Sequence, residues 1–351
     1  MLTKYFSGSF LVAILGLTGA FAIGGLPTVW IVAVLGILEV SLSFDNAVVN
    51  AQVLKDMDEK WRKRFVTWGM LIAVFGMRMV FPLLIVSVAL GINPVAALTI
   101  AVSDPAQYQH ILESVHTSVM GFGQSFLMMV ALKFFIDNDK EIHWLGVIEN
   151  KLTFLGKIEA IQVAIALVIT VITSAAIKHY AGFEEASAFL IASIWGLIVF
   201  VAVDSLEVLM SDDEVDSVTL TTTIAKSGLA SFIYLEILDA SFSFDGVLGA
   251  LALSNNLFII AIGLGIGAMF VRSLTLLMVD KGTVDEFIYL EHGAFYAILG
   301  LTVIMNVNTV YEIPETITGL IGAAFIGASL ISSIKFNKRE AAEAELAKST
   351  L

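Results

Sequence analysis

About ten stretches of this chain run for roughly twenty residues with almost no charge, the length a helix needs to cross the hydrocarbon core of a bilayer. They lie near residues 5–24, 28–50, 65–92, 118–136, 158–178, 186–207, 229–254, 256–279, 287–309 and 314–334. Lipid offers no partner to backbone N–H and C=O groups, so runs of this length must pair those groups internally as helices. The whole chain agrees, with 58% hydrophobic residues, 15% charged residues and a mean hydropathy of +0.90. A soluble domain carries about 25% charged residues. The fold class that follows is all-α: a polytopic membrane helix bundle of about ten spans. Residues 93–117 are too polar to cross and read as a loop with a surface helix.

Inside two of these apolar runs one acidic stretch occurs twice. Ile37-Leu38-Glu39-Val40-Ser41-Leu42-Ser43-Phe44-Asp45-Asn46 returns as Ile237-Leu238-Asp239-Ala240-Ser241-Phe242-Ser243-Phe244-Asp245-Gly246, at an offset of 200. Eight of the ten positions match when Glu/Asp and Leu/Phe count as equivalent. A carboxylate at the centre of a membrane helix costs about 2.5–3.5 kcal/mol on the milder scales. Two such pairs in one chain therefore point to an ion or proton site, against the blander reading of two helices ending in acids at the interface.

Basic residues set the orientation. Lys55, Lys60, Arg62, Lys63 and Arg64 follow the second run, which puts that loop in the cytoplasm. Threading onward places Lys140, Lys151, Lys157, Lys226, Lys281, Lys335, Lys338, Arg339 and Lys348 inside with Lys4, and leaves only Lys178 outside. Both termini are then cytoplasmic. The first run has features of a signal peptide, Lys4 ahead of an apolar stretch and small residues at Ala20 and Ala22, but its length and the span that follows favour a retained helix. The motif copies fall on the second and seventh spans, which therefore run in opposite directions. That is the inverted-repeat plan of many secondary transporters. An arginine in the next span follows each copy, Arg78 and Arg272. The chain divides into an N-terminal helix (1–27), a first three-helix repeat (28–137), inserted helices with an acidic cytoplasmic loop (138–228), a second three-helix repeat (229–310), and a C-terminal helix with a charged tail (311–351).

On a helix Glu39, Ser43 and Asn46 share one face, being i, i+4 and i+7, and Asp239 and Ser243 repeat the pattern. Asp45 and Asp245 lie about 120° from that face. Either they meet a different neighbour, or the helix opens near Ser-Phe-Asp and adds carbonyl ligands. Carboxylates, hydroxyls and an amide suit hard cations such as Mn²⁺, Mg²⁺ or Ca²⁺. The chain has no cysteine, which excludes thiolate ligands and disulfides. Arg78 and Arg272 read either as snorkelling residues or as counter-charges to the acids, and Glu236 as an accessory acid or a residue of the cytoplasmic entrance. The net charge of -13 excludes the basic footprint that nucleic-acid binding needs. Much of the acid sits in Asp212-Asp213-Glu214-Val215-Asp216 and in the tail. No phosphate-binding loop or nucleophile arrangement appears, so an enzyme is not the expectation.

The paired motifs resemble those of the TerC family of integral membrane proteins, named for tellurium resistance. Glu39-Val40-Ser41-Leu42-Ser43-Phe44-Asp45-Asn46-Ala47 is similar to its first motif, and Asp239-Ala240-Ser241-Phe242-Ser243-Phe244-Asp245 to its second, with Gly246 where Ser is usual. The resemblance implies a transporter related to the LysE-type exporters, with manganese efflux as the expected activity. It implies a metal site of Glu39, Asp45, Asn46, Asp239 and Asp245, supported by Ser43, Ser243, Arg78, Arg272 and Glu236. The leading expectation is thus a carrier in the cytoplasmic (inner) membrane for divalent cations, with Mn²⁺ the first substrate. Its rivals are a membrane scaffold that recruits soluble stress-response proteins to the acidic loop, and an exporter of a small organic solute whose carboxylate would meet the arginines.

Overall fold

The structure, a computed structural model, describes residues 2–349 apart from 70, 139, 159, 211–227, 255 and 312. Among the described residues all regular structure is helical. In chain order the helices are α1 (Leu2–Leu42), α2 (Phe44–Asp56), α3 (Glu59–Arg64), two π-helical stretches (Phe65–Gly69 and Ile72–Val80), α4 (Phe81–Leu90), α5 (Pro94–Ser103), α6 (Pro105–Ser114), α7 (His116–Phe135), α8 (Gly146–Leu155), α9 (Ile161–Tyr180) and α10 (Phe183–Met210). They continue with α11 (Leu229–Leu253), α12 (Leu257–Lys281), α13 (Thr283–Glu286), α14 (Leu290–Asn308) and α15 (Glu315–Ser349).

Seven described helices are long and apolar enough to cross a membrane, or eight if one bent pair counts as a span. The difference from about ten has local causes. The first two expected spans form the single long helix α1, whose path breaks at Gly24 and Gly25, the latter at φ 67, just before Pro27. Helix α11 is 25 residues long but carries Glu236, Asp239 and Asp245, too many charges for an apolar span. The third span is sharply bent: Gly76–Leu90 and Pro94–Ser103 meet at 104°. Gly91 closes α4 in the left-handed region at φ 64, Asn93 caps α5 by accepting the Ala96 N–H, and Pro94 starts it. Asp104 and Pro105 repeat this device at the end of the ten-residue α5 and start α6. So 93–117, expected to be a loop with one surface helix, forms two short capped helices and the start of α7.

The core is organised on α7, nearly all of whose residues from Met120 to Phe135 are buried. A helix apolar on every side is one enclosed on every side. It packs against α10, α14 and α9. Lys133, which weakens α7 as a span, pairs with Asp204 of α10 and so brings its own counter-ion. Asn306 of α14 ties this group together: it accepts from Thr173 of α9 at 2.8 Å and donates to Gln124 of α7 at 3.0 Å. On the other side of the bundle α1 lies along α12. Gly263 and Gly267 line that contact, and a Cβ at Gly267 would sit 2.4 Å from Glu39 Cβ. Small residues four apart let two membrane helices approach closely. Here the approach brings α12 directly against the first acid of the repeat. The acidic segment Asp212 to Asp216 lies outside the described residues.

Candidate functional site: two small polar cavities between the repeat copies

Helix α1 ends at Leu42, and Ser43 is the N-cap position of α2, with φ -102 and ψ 16. The hydrogen-bond ladder is kept across this step, since Ser43 N–H donates to Glu39 O and Ala47 N–H to Ser43 O. The first copy of the motif is therefore interrupted but not unwound, and the second copy runs unbroken within α11. Glu39, Ser43 and Asn46 remain on one face, as their spacing predicts. Asn50, at i+11 from Glu39, continues it.

Glu39 is 3% exposed. Its Oε1 accepts from Ser43 Oγ at 2.9 Å and from Arg78 Nη2, which arrives from the π-helical stretch Ile72–Val80. Arg78 is thus the buried counter-charge of Glu39 rather than a snorkelling residue. Asp239 of α11, 7% exposed, is held differently. Its Oδ1 accepts from Asn46 Nδ2 at 2.6 Å and from Asn50 Nδ2 at 3.1 Å. The two motif copies are therefore joined directly, across 193 residues of chain. The carbonyl oxygens of both asparagines are buried without a hydrogen-bond partner among the described residues.

A cavity of about 40 Å³ opens at this junction, lined by Ser43, Asn46, Asn50, Arg78, Asp239, Ser243 and Arg272 among others. At about 10–15 Å³ per water it has room for roughly three waters, or for one cation with part of its shell. A second cavity of about 30 Å³ is lined by Glu39, Ser43, Asp45, Gly246, Thr318 and Gly322. Ser43 and Phe242 border both. Asp45 has turned away from the Glu39 face, as its six-residue offset requires, and its neighbour is α15 through Gly322. Its Oδ1 accepts the Asn46 N–H at 3.0 Å. A Cβ at Gly246 would lie 3.4 Å from Glu39 Oε2, an ordinary van der Waals contact, so the two copies meet closely here without excluding a small side chain.

Of the sequence-predicted residues, Asn46, Asp239, Ser43, Ser243, Arg78 and Arg272 come to the first cavity, and Glu39 and Asp45 to the second. The Asp245 side chain lies outside the described residues. Among the described residues no three acidic or histidine side chains converge at metal-ligand spacing. Arg272 Nη1 donates to the Phe65 carbonyl at 3.2 Å, and its Nη2 has no hydrogen-bond partner among the described residues. Glu236 sits against Gly69, a position where a Cβ would lie 2.8 Å from its Oε1. Neither Glu236 oxygen has a hydrogen-bond partner among the described residues. Asn50 was missed by the sequence reading, although its i+4 spacing from Asn46 was the available signal.

Away from the repeats, Glu149 of α8 is fully buried. It accepts from Leu145 N–H at 3.0 Å, Tyr296 Oη at 3.2 Å and Lys140 Nζ at 3.1 Å, with His292 Nε2 at 3.4 Å. Burial alone would raise its carboxyl pKa, but the Leu145 N–H, Lys140 and His292 outweigh that and hold it below the ordinary range. His292, isolated in sequence, belongs to this buried cluster. Glu113 of α6 accepts from Gln109 Nε2 at 2.8 Å.

The fold and these buried charges define a membrane helix bundle with polar cavities between its helices. Residues 44–340 match the family described as "Protein of unknown function (DUF475)", and the chain belongs to that family. Comparison with curated proteins gave no match. Comparison with solved structures gave none either.

Proposed function

We propose that this chain is a secondary transporter of divalent metal cations, with Mn²⁺ as its first substrate, in a TerC-like arrangement of two inverted three-helix repeats. In this reading about ten spans cross the inner membrane, α1 supplies two of them on either side of Gly24 and Gly25, and both termini are cytoplasmic. The observation that carries it is the buried carboxylate of Asp239, held across the repeats by Asn46 and Asn50 next to the Glu39–Arg78 pair. Buried intramembrane carboxylates are costly, and they mark ion pathways far more often than they mark structure.

The chemistry of the donor set fits a hard cation. Rotation of the Asn46 and Asn50 amides would present their partnerless carbonyl oxygens beside Asp239. Oxygen ligands of this kind suit Mn²⁺, Mg²⁺ and Ca²⁺. Glu39 becomes available when Arg78 swings away, so the arginine balances the site when the ion has left. Ser43, the shared wall and the joint between α1 and α2, is where the two cavities would merge. Rocking of the repeats about this joint would expose the ion to either side. The family description names no activity, so the reading rests on the motifs and on these contacts.

The test is flux in proteoliposomes over Mn²⁺, Mg²⁺, Ca²⁺ and Zn²⁺, with and without a pH gradient. Mn²⁺ flux is expected, together with its loss in Asp239→Asn while the variant still inserts. Undiminished flux in that variant would defeat the site, and no flux of any of the four ions would defeat the function.

A further inference from the structure

Helix α8 is inside out for a helix in water. Its polar side faces the protein. Glu149 is fully buried against Lys140 and Tyr296, and Thr153 Oγ1 donates to the Glu149 carbonyl at 2.9 Å. The outer side is apolar. Val147 is 81% exposed, Phe154 64% and Ile148 50%. Val147, Lys151 and Phe154 share one face at i, i+4 and i+7, and Ile148 borders it. A helix on the surface of a soluble protein does the reverse, with its apolar stripe inward and its charges outward. A continuous exposed apolar face marks a surface that something else covers.

The level of α8 in the bundle identifies the cover. It joins α7 to α9, both long and apolar enough to cross a membrane. Helix α14 has 19 residues, about 28 Å at 1.5 Å per residue, which matches a hydrocarbon core of about 30 Å. Its first residue, Leu290, therefore marks one edge of that core. Tyr296, which donates to Glu149 at 3.2 Å, lies about 9 Å inward along the helix. Gly156, next after α8, abuts the end of α7, where a Cβ would lie 2.2 Å from the Ile136 oxygen. These two contacts fix α8 between the edge of the core and about 9 Å inside it, the depth at which interfacial helices sit. A ten-residue helix by itself offers far less than the about 800 Å² per partner of a stable dimer, so a second copy is the poorer cover. Lys151 is exposed in the middle of the apolar face, and Lys157 Nζ lies 5.0 Å from the centre of the Phe154 ring. Lysine stems can lie along such a surface while their ammonium groups reach up to the phosphates.

We propose that α8 is an interfacial membrane helix, with its outer face in the boundary between headgroups and acyl chains and with Lys151 and Lys157 paired to phospholipid phosphates. The assignment needs only that the bundle lies in a membrane and does not depend on the metal reading. The chain has no cysteine, so single ones can be placed without background. Val147→Cys, Phe154→Cys and, as an aqueous reference on the α15 tail, Glu343→Cys are each labelled with a nitrobenzoxadiazole dye. The full chain is reconstituted in phosphatidylcholine vesicles with and without phosphatidylglycerol. Labels at 147 and 154 should be quenched by lipids bearing a nitroxide high on the acyl chain and spared by a water-soluble nitroxide, with the opposite result at 343. Phosphatidylglycerol leaves its phosphate without the cation that phosphatidylcholine carries, so it should raise the wild-type thermal transition, and less so in Lys151→Gln/Lys157→Gln. Quenching at 147 and 154 by the water-soluble nitroxide would overturn the proposal. Protection from both nitroxides, with energy transfer between labelled copies, would mean that a second copy covers the face and would overturn it too. A phosphatidylglycerol effect that is absent in wild type, or unchanged in the lysine variant, would overturn the pairing with phosphate.

Discussion

The two copies of the acidic motif share eight of ten positions and almost none of their partners. In the first copy Glu39 has a guanidinium and a hydroxyl and is closed as an ion pair. In the second, Asp239 has two neutral amides, Asn46 at the end of the first copy and Asn50 four residues beyond it. The arginine that follows each copy shows the same split. Arg78 reaches the acid, whereas Arg272 reaches a backbone carbonyl and leaves Nη2 without a hydrogen-bond partner among the described residues. The same acidic stretch thus occurs twice in the sequence, with a charged hydrogen-bond partner for Glu39 and neutral ones for Asp239. Asn46 gives the first copy an amide donor that Gly246 cannot give the second.

The largest effect expected from this asymmetry concerns the arginines. Arg78→Met leaves Glu39 charged and buried, and breaking such a pair costs about 3–5 kcal/mol. Arg272→Met loses a charged hydrogen bond to Phe65 O, worth about 1.5–3 kcal/mol. Thermal unfolding in one mild detergent should therefore rank Arg78→Met as clearly the less stable. Adding Glu39→Gln to Arg78→Met should recover part of the loss, since it removes the stranded charge. Equal losses for the two arginines would erase the distinction between the halves.

Much of this site was legible in the sequence because helical periodicity is local. The face through Glu39, Ser43 and Asn46 held, and it extended to Asn50. The departure of Asp45 from that face was also implied by its six-residue offset. The partners were not legible. Nothing local tells that Arg78 returns to Glu39 while Arg272 stops at Phe65, because the answer depends on where α12 and the π-helical stretches pack. The Glu149 cluster was hidden for the same reason, since Tyr296 reaches it across 147 residues. Seven or eight described helices satisfy the simple length rule, against about ten expected, because charge and bending interrupt it: α11 with its three acids, and α4 with α5 at their joint of 104°.

A smaller effect probes the tie between the copies. Asn50→Ala removes the longer of the two bonds to Asp239, and a hydrogen bond to a charged group is worth about 1.5–3 kcal/mol. Asn46→Ala removes the shorter bond and should cost at least as much. The double variant strands the carboxylate, so its loss should exceed the sum of the two single losses. Replacing Asp239 by Asn in the double background should then restore stability. A double variant whose loss is merely additive would show that Asp239 has other support, and that the second half is less open than its contacts indicate.

The smallest effect sets a fully partnered acid beside the open one. Glu149 is satisfied by backbone, lysine, tyrosine and histidine, and its folded pKa lies below the ordinary 4.5. A carboxyl group with a depressed folded pKa stabilises the fold when ionised. Its contribution is therefore complete above the unfolded value and fades as pH falls through the lower folded value. The stability difference between wild type and Glu149→Gln should hold steady down to about pH 5 and shrink by about pH 3, because the protonated wild type then approaches the amide in charge. Comparing the two proteins at each pH cancels the titration of the other exposed acids. A difference that stays constant over this range would mean that shape rather than charge holds α8 to α14, and the partnered acid would no longer serve as the reference for the open one.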